Sequence, residues 1–231
     1  MRKQSTSGSQ IFSGSQAAFS NINIRPAQQH DLRKISYVWH MAYLQKEKQE
    51  AKPPTAIELD QMYRSEGKGM FERSWIQKNN NFIVASVPTS KVSFVVPDKG
   101  QAMAGMCEYS RESIKYNDRE YMDALYLERL YTIKTKQCPV GKALMLECIN
   151  IAKEMQVSAI VLDAQFKASR EWYIDQIGFE PFQSQVFRPE SNRPHHPKSQ
   201  ALFLHRDNFD DAEKLLKGNP ASVAKPKTPA L

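Results

Sequence analysis

Apolar residues recur along this chain with two periods, and the switches between them mark out its elements. Asn21 to Arg25 alternates polar and apolar and stops at Pro26, which predicts a short first strand. From His30 to Gln45 the apolar positions Leu32, Ile35, Val38/Trp39 and Ala42/Tyr43 follow a helical stripe, with Asp31 at its positive end. Ala56 to Lys78 reads as helix interrupted by Gly67 and Gly69, hence one helix or two. Asn81–Val87 and Gln101–Arg111 read as strands, and Val92–Val96 between them suits an extra strand piece.

Tyr121–Ile133 is the clearest strand. Strict alternation puts Leu125, Leu127, Tyr131 and Ile133 on one face, and Tyr126, Glu128, Leu130 and Thr132 on the other. A helix is predicted from Pro139, at its first helical position, to Met155, then a buried strand at Ala159–Ala164. A short helix, Ser169–Gln176, ends at Gly178 as its C-cap. Strands near Phe179–Phe187 and Gln200–His205 close the domain. The predicted order is β-α-α-β-β-β-α-β-α-β-β, a mixed α/β (α+β) sheet whose unit Tyr121–Ala164 requires one parallel, right-handed crossover.

With 231 residues, 41% of them hydrophobic, the chain is long enough for a substantial core without metals or disulfides. Its three cysteines have no paired spacing, and no apolar run approaches a bilayer span. A soluble protein in a reducing compartment, the cytoplasm, is the expectation, with no membrane partner. Residues 1–20 are Ser- and Gln-rich and read as a disordered leader; residues 217–231 hold three prolines and read as a disordered tail. The single domain is then 21–216.

The net charge is +7, but the leader carries Arg2 and Lys3 and the tail Lys217, Lys225 and Lys227, all without acids. Five of the seven charges therefore fall on the ends, which argues against nucleic-acid binding as the main role of the body.

Chemistry concentrates between the long strand and the following helix, at Lys134-Thr-Lys-Gln-Cys-Pro-Val-Gly-Lys142. A helix N-terminus there would aim free N–H groups outward among Lys134, Lys136 and Lys142, an arrangement suited to phosphate; a solvated basic loop fits the same spacing. A Walker A loop is excluded by Lys136 and Ala143 at the positions that need Gly and Ser/Thr. No G-x-G-x-x-G follows the first strand.

The run L-Y-L-E-R-L-Y-T…K-x-x-P-V-G-K-A-L, followed after a strand by W-Y-I-D-Q-I-G-F-E, resembles the GNAT superfamily of acyl-CoA-dependent N-acyltransferases. Val38–Tyr43 and Arg73–Trp75 resemble the first helices of many members, and the resemblance spans roughly Ile22 to Leu204. It implies acetyl-CoA as co-substrate, no metal, and transfer to a primary amine of a small molecule or peptide. Lys136 stands at the loop's Gln/Arg position, Pro139 at its first Gly and Gly141 at its second. The implied CoA contacts are Tyr131, Thr132, Ile133, Lys134, Lys136, Gln137, Cys138, Val140, Gly141, Lys142 and Ser169, with backbone N–H groups of Tyr131–Ile133 pairing along the pantetheine arm. Three departures stand out. Pro139 has no N–H, the loop is about one residue short, and Phe166 occupies a position where Asn is frequent.

The resemblance assigns Tyr173 as the proton donor to the leaving thiolate and makes Glu128, on the same predicted face as Thr132, a proton acceptor from the amine. A core-packing tyrosine and a strand glutamate paired with Arg129 are the plainer readings of the same residues. An acyl-CoA-binding or regulatory module with little turnover is the alternative function. The acceptor would be shaped by Ile57–Trp75 and by Gln183–Ser199 with Arg188, Arg193 and Lys198. Pairing of two copies through the last strands is a further option. His195 and His196, between prolines, have no third ligand spaced for zinc and read as loop surface.

Overall fold

The structure, a computed structural model, describes residues 19–47, 55–77, 81–92, 100–116, 120–181 and 200–218. Most of the expected leader and tail, residues 93–96 of the expected extra strand piece, and the Gln183–Ser199 segment with His195 and His196 lie outside the described residues.

Among the described residues, seven strands form one sheet: β1 (Asn23–Pro26), β2 (Asn81–Pro88), β3 (Gln101–Tyr116), β4 (Glu120–Thr132), β5 (Ala159–Ala164), β6 (Glu180–Pro181) and β7 (Gln200–His205). Their order is β1-β2-β3-β4-β5-β7-β6, and only β4 and β5 run parallel. Numbering the helices in chain order, the predicted crossover is α4 (Val140–Glu154), which buries Val140, Leu144, Cys148, Ile149 and Ala152 against the sheet. Gly105 on β3 admits this close packing, since a Cβ there would stand 2.7 Å from Val140 Cγ1 and 2.8 Å from Leu144 Cδ1.

The other face carries α1 (Leu32–Glu47) and a helical run made of α2 (Ala56–Met62), a π-helical turn (Tyr63–Gly67) and α3 (Lys68–Gln77). The predicted interruption at Gly67 is thus a change of helical register rather than a break. Gly67 faces Ser36, whose Oγ would lie 2.0 Å from any Cβ there, so only glycine lets the two helices meet.

α5 (Lys167–Ile177) ends at Gly178 with φ 90°, as its sequence predicts. A helix absent from the sequence reading, α6 (Phe209–Leu216), buries Phe209, Ala212 and Leu216 and is tied to α4 by Lys153 Nζ, 2.7 Å from both Asp210 and Glu213. Among the described residues, no helix is long and apolar enough to cross a membrane.

Candidate active site

Two irregularities in β4 build the site. β4 pairs with β5 only from Ala124 to Leu127, opposite Ala159 to Leu162, yet β4 continues to Thr132. Beyond Leu127 its outer edge has no strand beside it among the described residues. The register with β3 also slips there: Glu108 faces Arg129 but Tyr109 faces Leu127, so Glu128 is the extra residue of a β-bulge.

The bulge reverses the faces of everything after it. Thr132, opposite Gly105, lies under α4, where its Cγ2 is 3.9 Å from where a Gly141 Cβ would sit. Leu130, opposite Cys107, shares that face; Cys107 Sγ is 3.7 Å from Cys148 Sγ of α4. Tyr131 and Arg129 point the other way, toward α1 and α3. The Tyr131 hydroxyl is hydrogen-bonded to the Trp39 side chain, and the Arg129 guanidinium lies 5.8 Å from the Phe71 ring centre. The expectation that Glu128 and Thr132 share a face is therefore corrected: alternation from Tyr121 is broken by one residue.

Backbone directions follow. The Ile133 N–H donates to the Ala104 carbonyl at 2.9 Å. In an antiparallel ladder the groups alternate, so Tyr131 and Ile133 turn theirs to β3 while Leu130 and Thr132 turn theirs to the open edge. Of the expected amides at Tyr131, Thr132 and Ile133, those of Tyr131 and Ile133 are thus committed to β3, and that of Thr132 faces the open edge together with that of Leu130.

That edge is one wall of a groove of about 400 Å³. Of the residues singled out from sequence, Thr132, Ile133, Cys138, Val140, Gly141, Lys142, Ser169 and Tyr173 line it, and Leu130, Thr135, Pro139, Ala168 and Trp172 complete it. Tyr131, Lys134, Lys136, Gln137 and Glu128 are outside its lining. Lys134, Lys136 and Gln137 are exposed, and the Lys136 N–H already donates to the Lys91 carbonyl at 2.7 Å.

At the groove's loop end, Pro139 is the N-cap of α4 with ψ 63°, not its first helical residue as expected. The Cys138 carbonyl sets this turn by accepting from Thr135 Oγ1 at 2.6 Å and from the Val140 N–H at 2.9 Å. The Val140 amide is thereby used within the loop. The Ala143 N–H closes the first turn onto the Pro139 carbonyl at 3.0 Å, which leaves the Gly141 and Lys142 amides as the first-turn donors without an intrahelical acceptor.

Tyr173 of α5 is buried at the other part of the groove, its ring edge-on to Trp172 and Phe179. Burial, with Cys107 and Cys148 nearby, pushes its phenol far above the ordinary range, so it stays protonated at neutral pH. On the opposite face, Arg129 Nη1 pairs with Glu108 and stands 3.9 Å from Glu128 Oε2. Glu108, fully buried, carries no signal of its own in the sequence. Its position directly across from Arg129 follows only from the bulged register.

No family model and no curated protein matches the chain. Among solved structures, it is similar to an acetyltransferase from Streptococcus agalactiae, at 13% identity over 81% of this chain and 99% of that one, with a TM-score of 0.49. It is also similar to a GNAT-family acetyltransferase from Staphylococcus aureus, at 12% identity, 80% and 99% coverage and a TM-score of 0.47. A third is the PaiA N-acetyltransferase from Thermoplasma acidophilum in complex with coenzyme A, at 16% identity, 80% and 98% coverage and a TM-score of 0.47. In its own strand order, with one parallel crossover in an otherwise antiparallel sheet, the chain has the fold that its sequence resemblance to the GNAT superfamily implies.

Proposed function

We propose that the protein is an acyl-CoA-dependent N-acyltransferase that moves an acetyl group from acetyl-CoA to a primary amine of a small molecule or peptide, both bound at once. The observation that carries this reading is the groove that begins at the first-turn amides of α4, follows the outer edge of β4 and reaches Tyr173. The Gly141 and Lys142 amides, with the Lys142 ammonium, suit a diphosphate. Leu130 and Thr132 offer backbone groups to an extended amide-bearing arm, as one strand does to the next. Acetyl-CoA supplies an activated thioester. Tyr173 holds its proton and can give it to a leaving thiolate, whose conjugate acid lies near pKa ~8.5. Glu128, the extra residue of the bulge and outside the groove lining, takes a proton from the incoming ammonium directly or through water, while the groove holds the acyl-CoA.

The experiment is release of free CoA thiol from acetyl-CoA, followed by a colorimetric thiol reagent across a panel of amines and peptides. Amine-dependent release, abolished when the amine is omitted, supports the proposal. Tight acetyl-CoA binding without release on any amine would replace it with the second reading, an acyl-CoA-binding module. That reading is favoured by Pro139 and by the internally used Val140 amide, which take two donors from the loop.

A further inference from the structure

One nitrogen, Nη1 of Arg129, serves two carboxylates that differ in hold. It is in direct contact with Glu108 and 3.9 Å from Glu128. Glu108 is fully buried on β3, and the side chains of Arg129 and Glu128 are only 12% and 7% exposed, so all three sit where charges are weakly screened. The register explains the ranking. Glu108 and Arg129 are direct cross-strand partners, whereas Glu128 is the inserted residue beside them. Phe71 and the Trp39-bound Tyr131 flank the guanidinium on the same face.

From this we infer that Glu108 is a positioning residue for the acyl transfer: by holding Arg129, it keeps the guanidinium from closing on Glu128 and lets that carboxylate take the amine's proton. The inference rests on the proposed N-acyltransferase reading, with Glu128 as the proton acceptor. A cation in full contact would lower a carboxylate's appetite for a proton and occupy the lone pairs the ammonium must reach. Without its partner, Arg129 has Glu128 as its nearest remaining carboxylate along the strand. The proton moves from the ammonium nitrogen to a Glu128 oxygen, and the freed nitrogen pair attacks the thioester carbonyl. The C–N bond forms as the C–S bond breaks, CoA leaves as a thiolate that takes the Tyr173 proton, and the nitrogen's surplus proton restores Tyr173. Glu108 exchanges no proton and forms no bond to the substrate.

The test compares Glu108→Gln, Glu108→Gln with Arg129→Gln, Glu108→Asp and Glu128→Gln in kcat/KM against pH, with acetyl-CoA and an accepted amine. Glu108→Gln is expected to lose about a hundredfold, the scale of general-base catalysis, and to move the acid limb of the profile to lower pH. Removing Arg129 as well is expected to restore about tenfold or more of that loss and return the limb toward its original place, because no cation is left to capture Glu128. A merely structural Glu108 would lower the rate without moving the limb, and the double variant would be no faster. Either result overturns the inference. Should Glu108→Gln not fold, Glu108→Asp carries the test: its shorter reach slackens the hold on Arg129, so the limb moves the same way by a smaller step, and an unmoved limb is the contrary result. A fully active Glu128→Gln would instead remove the proton-acceptor assignment on which this stands.

Discussion

Gly105 of β3 and Val140 of α4 meet at a separation that leaves no room for a side chain on the first: a Cβ on Gly105 would stand 2.7 Å from Val140 Cγ1. This contact seats the first turn of α4 against β3, and with it the amides that head the groove. Gly105→Ala is expected to destabilise the fold by about 1–3 kcal/mol through overpacking, and to weaken acetyl-CoA binding by shifting that turn. Thermal melts and calorimetric titration of the variant check the two effects separately. Unchanged affinity in a folded variant would uncouple the glycine from the groove.

Tyr173 makes a prediction in two parts. Tyr173→Phe keeps the packing with Trp172 and Phe179 but removes the proton, so kcat is expected to fall about a hundredfold with little change in melting temperature. Because its folded-state pKa is raised above the unfolded value of about 10, its contribution to stability is present below that pH and lost as pH rises above it. Denaturant melts across the alkaline range should show a loss that Tyr173→Phe lacks.

His40 acts at the other end of the pH scale. Burial holds its pKa below the ordinary value, against opposing contributions from Glu66 and the Met62 carbonyl. The unfolded chain therefore takes up a proton first as pH falls below about 6.5, and stability declines through the lower folded pKa. Urea midpoints at about pH 7.5 and about pH 5.5 should differ more for the natural chain than for His40→Gln.

Ser36 and Gly67 predict opposite effects at one contact. The Ser36 hydroxyl is buried with no hydrogen-bond partner among the described residues, so Ser36→Ala is expected to be neutral or mildly stabilising. Gly67→Ala places a methyl 2.0 Å from that oxygen and 2.8 Å from Ser36 Cβ, and should cost about 1–3 kcal/mol. Chemical denaturation of the two variants reads the signs.

Much of the fold is legible in the chain. The apolar run Ala159–Ala164, the alternation at Gln200–His205 and Gly178 as a C-cap each give their elements directly, because local pattern and burial agree there. The helix Phe209–Leu216 has the same kind of signal, with Asp210 and Asp211 in its first turn and Phe209, Ala212 and Leu216 on one face; its shortness and its place beside the proline-rich end obscure it. The bulge at Glu128 is not legible. It is a property of two strands in register, and nothing in L-Y-L-E-R-L-Y-T marks which residue is extra. That single insertion moves Thr132 and Leu130 to the groove, Arg129 and Tyr131 to the far face, and brings Glu108 into play. Likewise the Pro139 turn depends on which carbonyl accepts from Val140, which spacing does not tell.

The claim beneath these predictions is that the cleft opened where β4 leaves β5 takes an acyl-CoA, diphosphate at Gly141 and Lys142. Calorimetric titration of the full chain with acetyl-CoA tests it most directly. Saturable one-to-one binding, weakened when Gly141 is made bulkier, is the expected result. No binding at hundreds of micromolar ligand, which would put the Kd near or beyond ~1 mM, would contradict it.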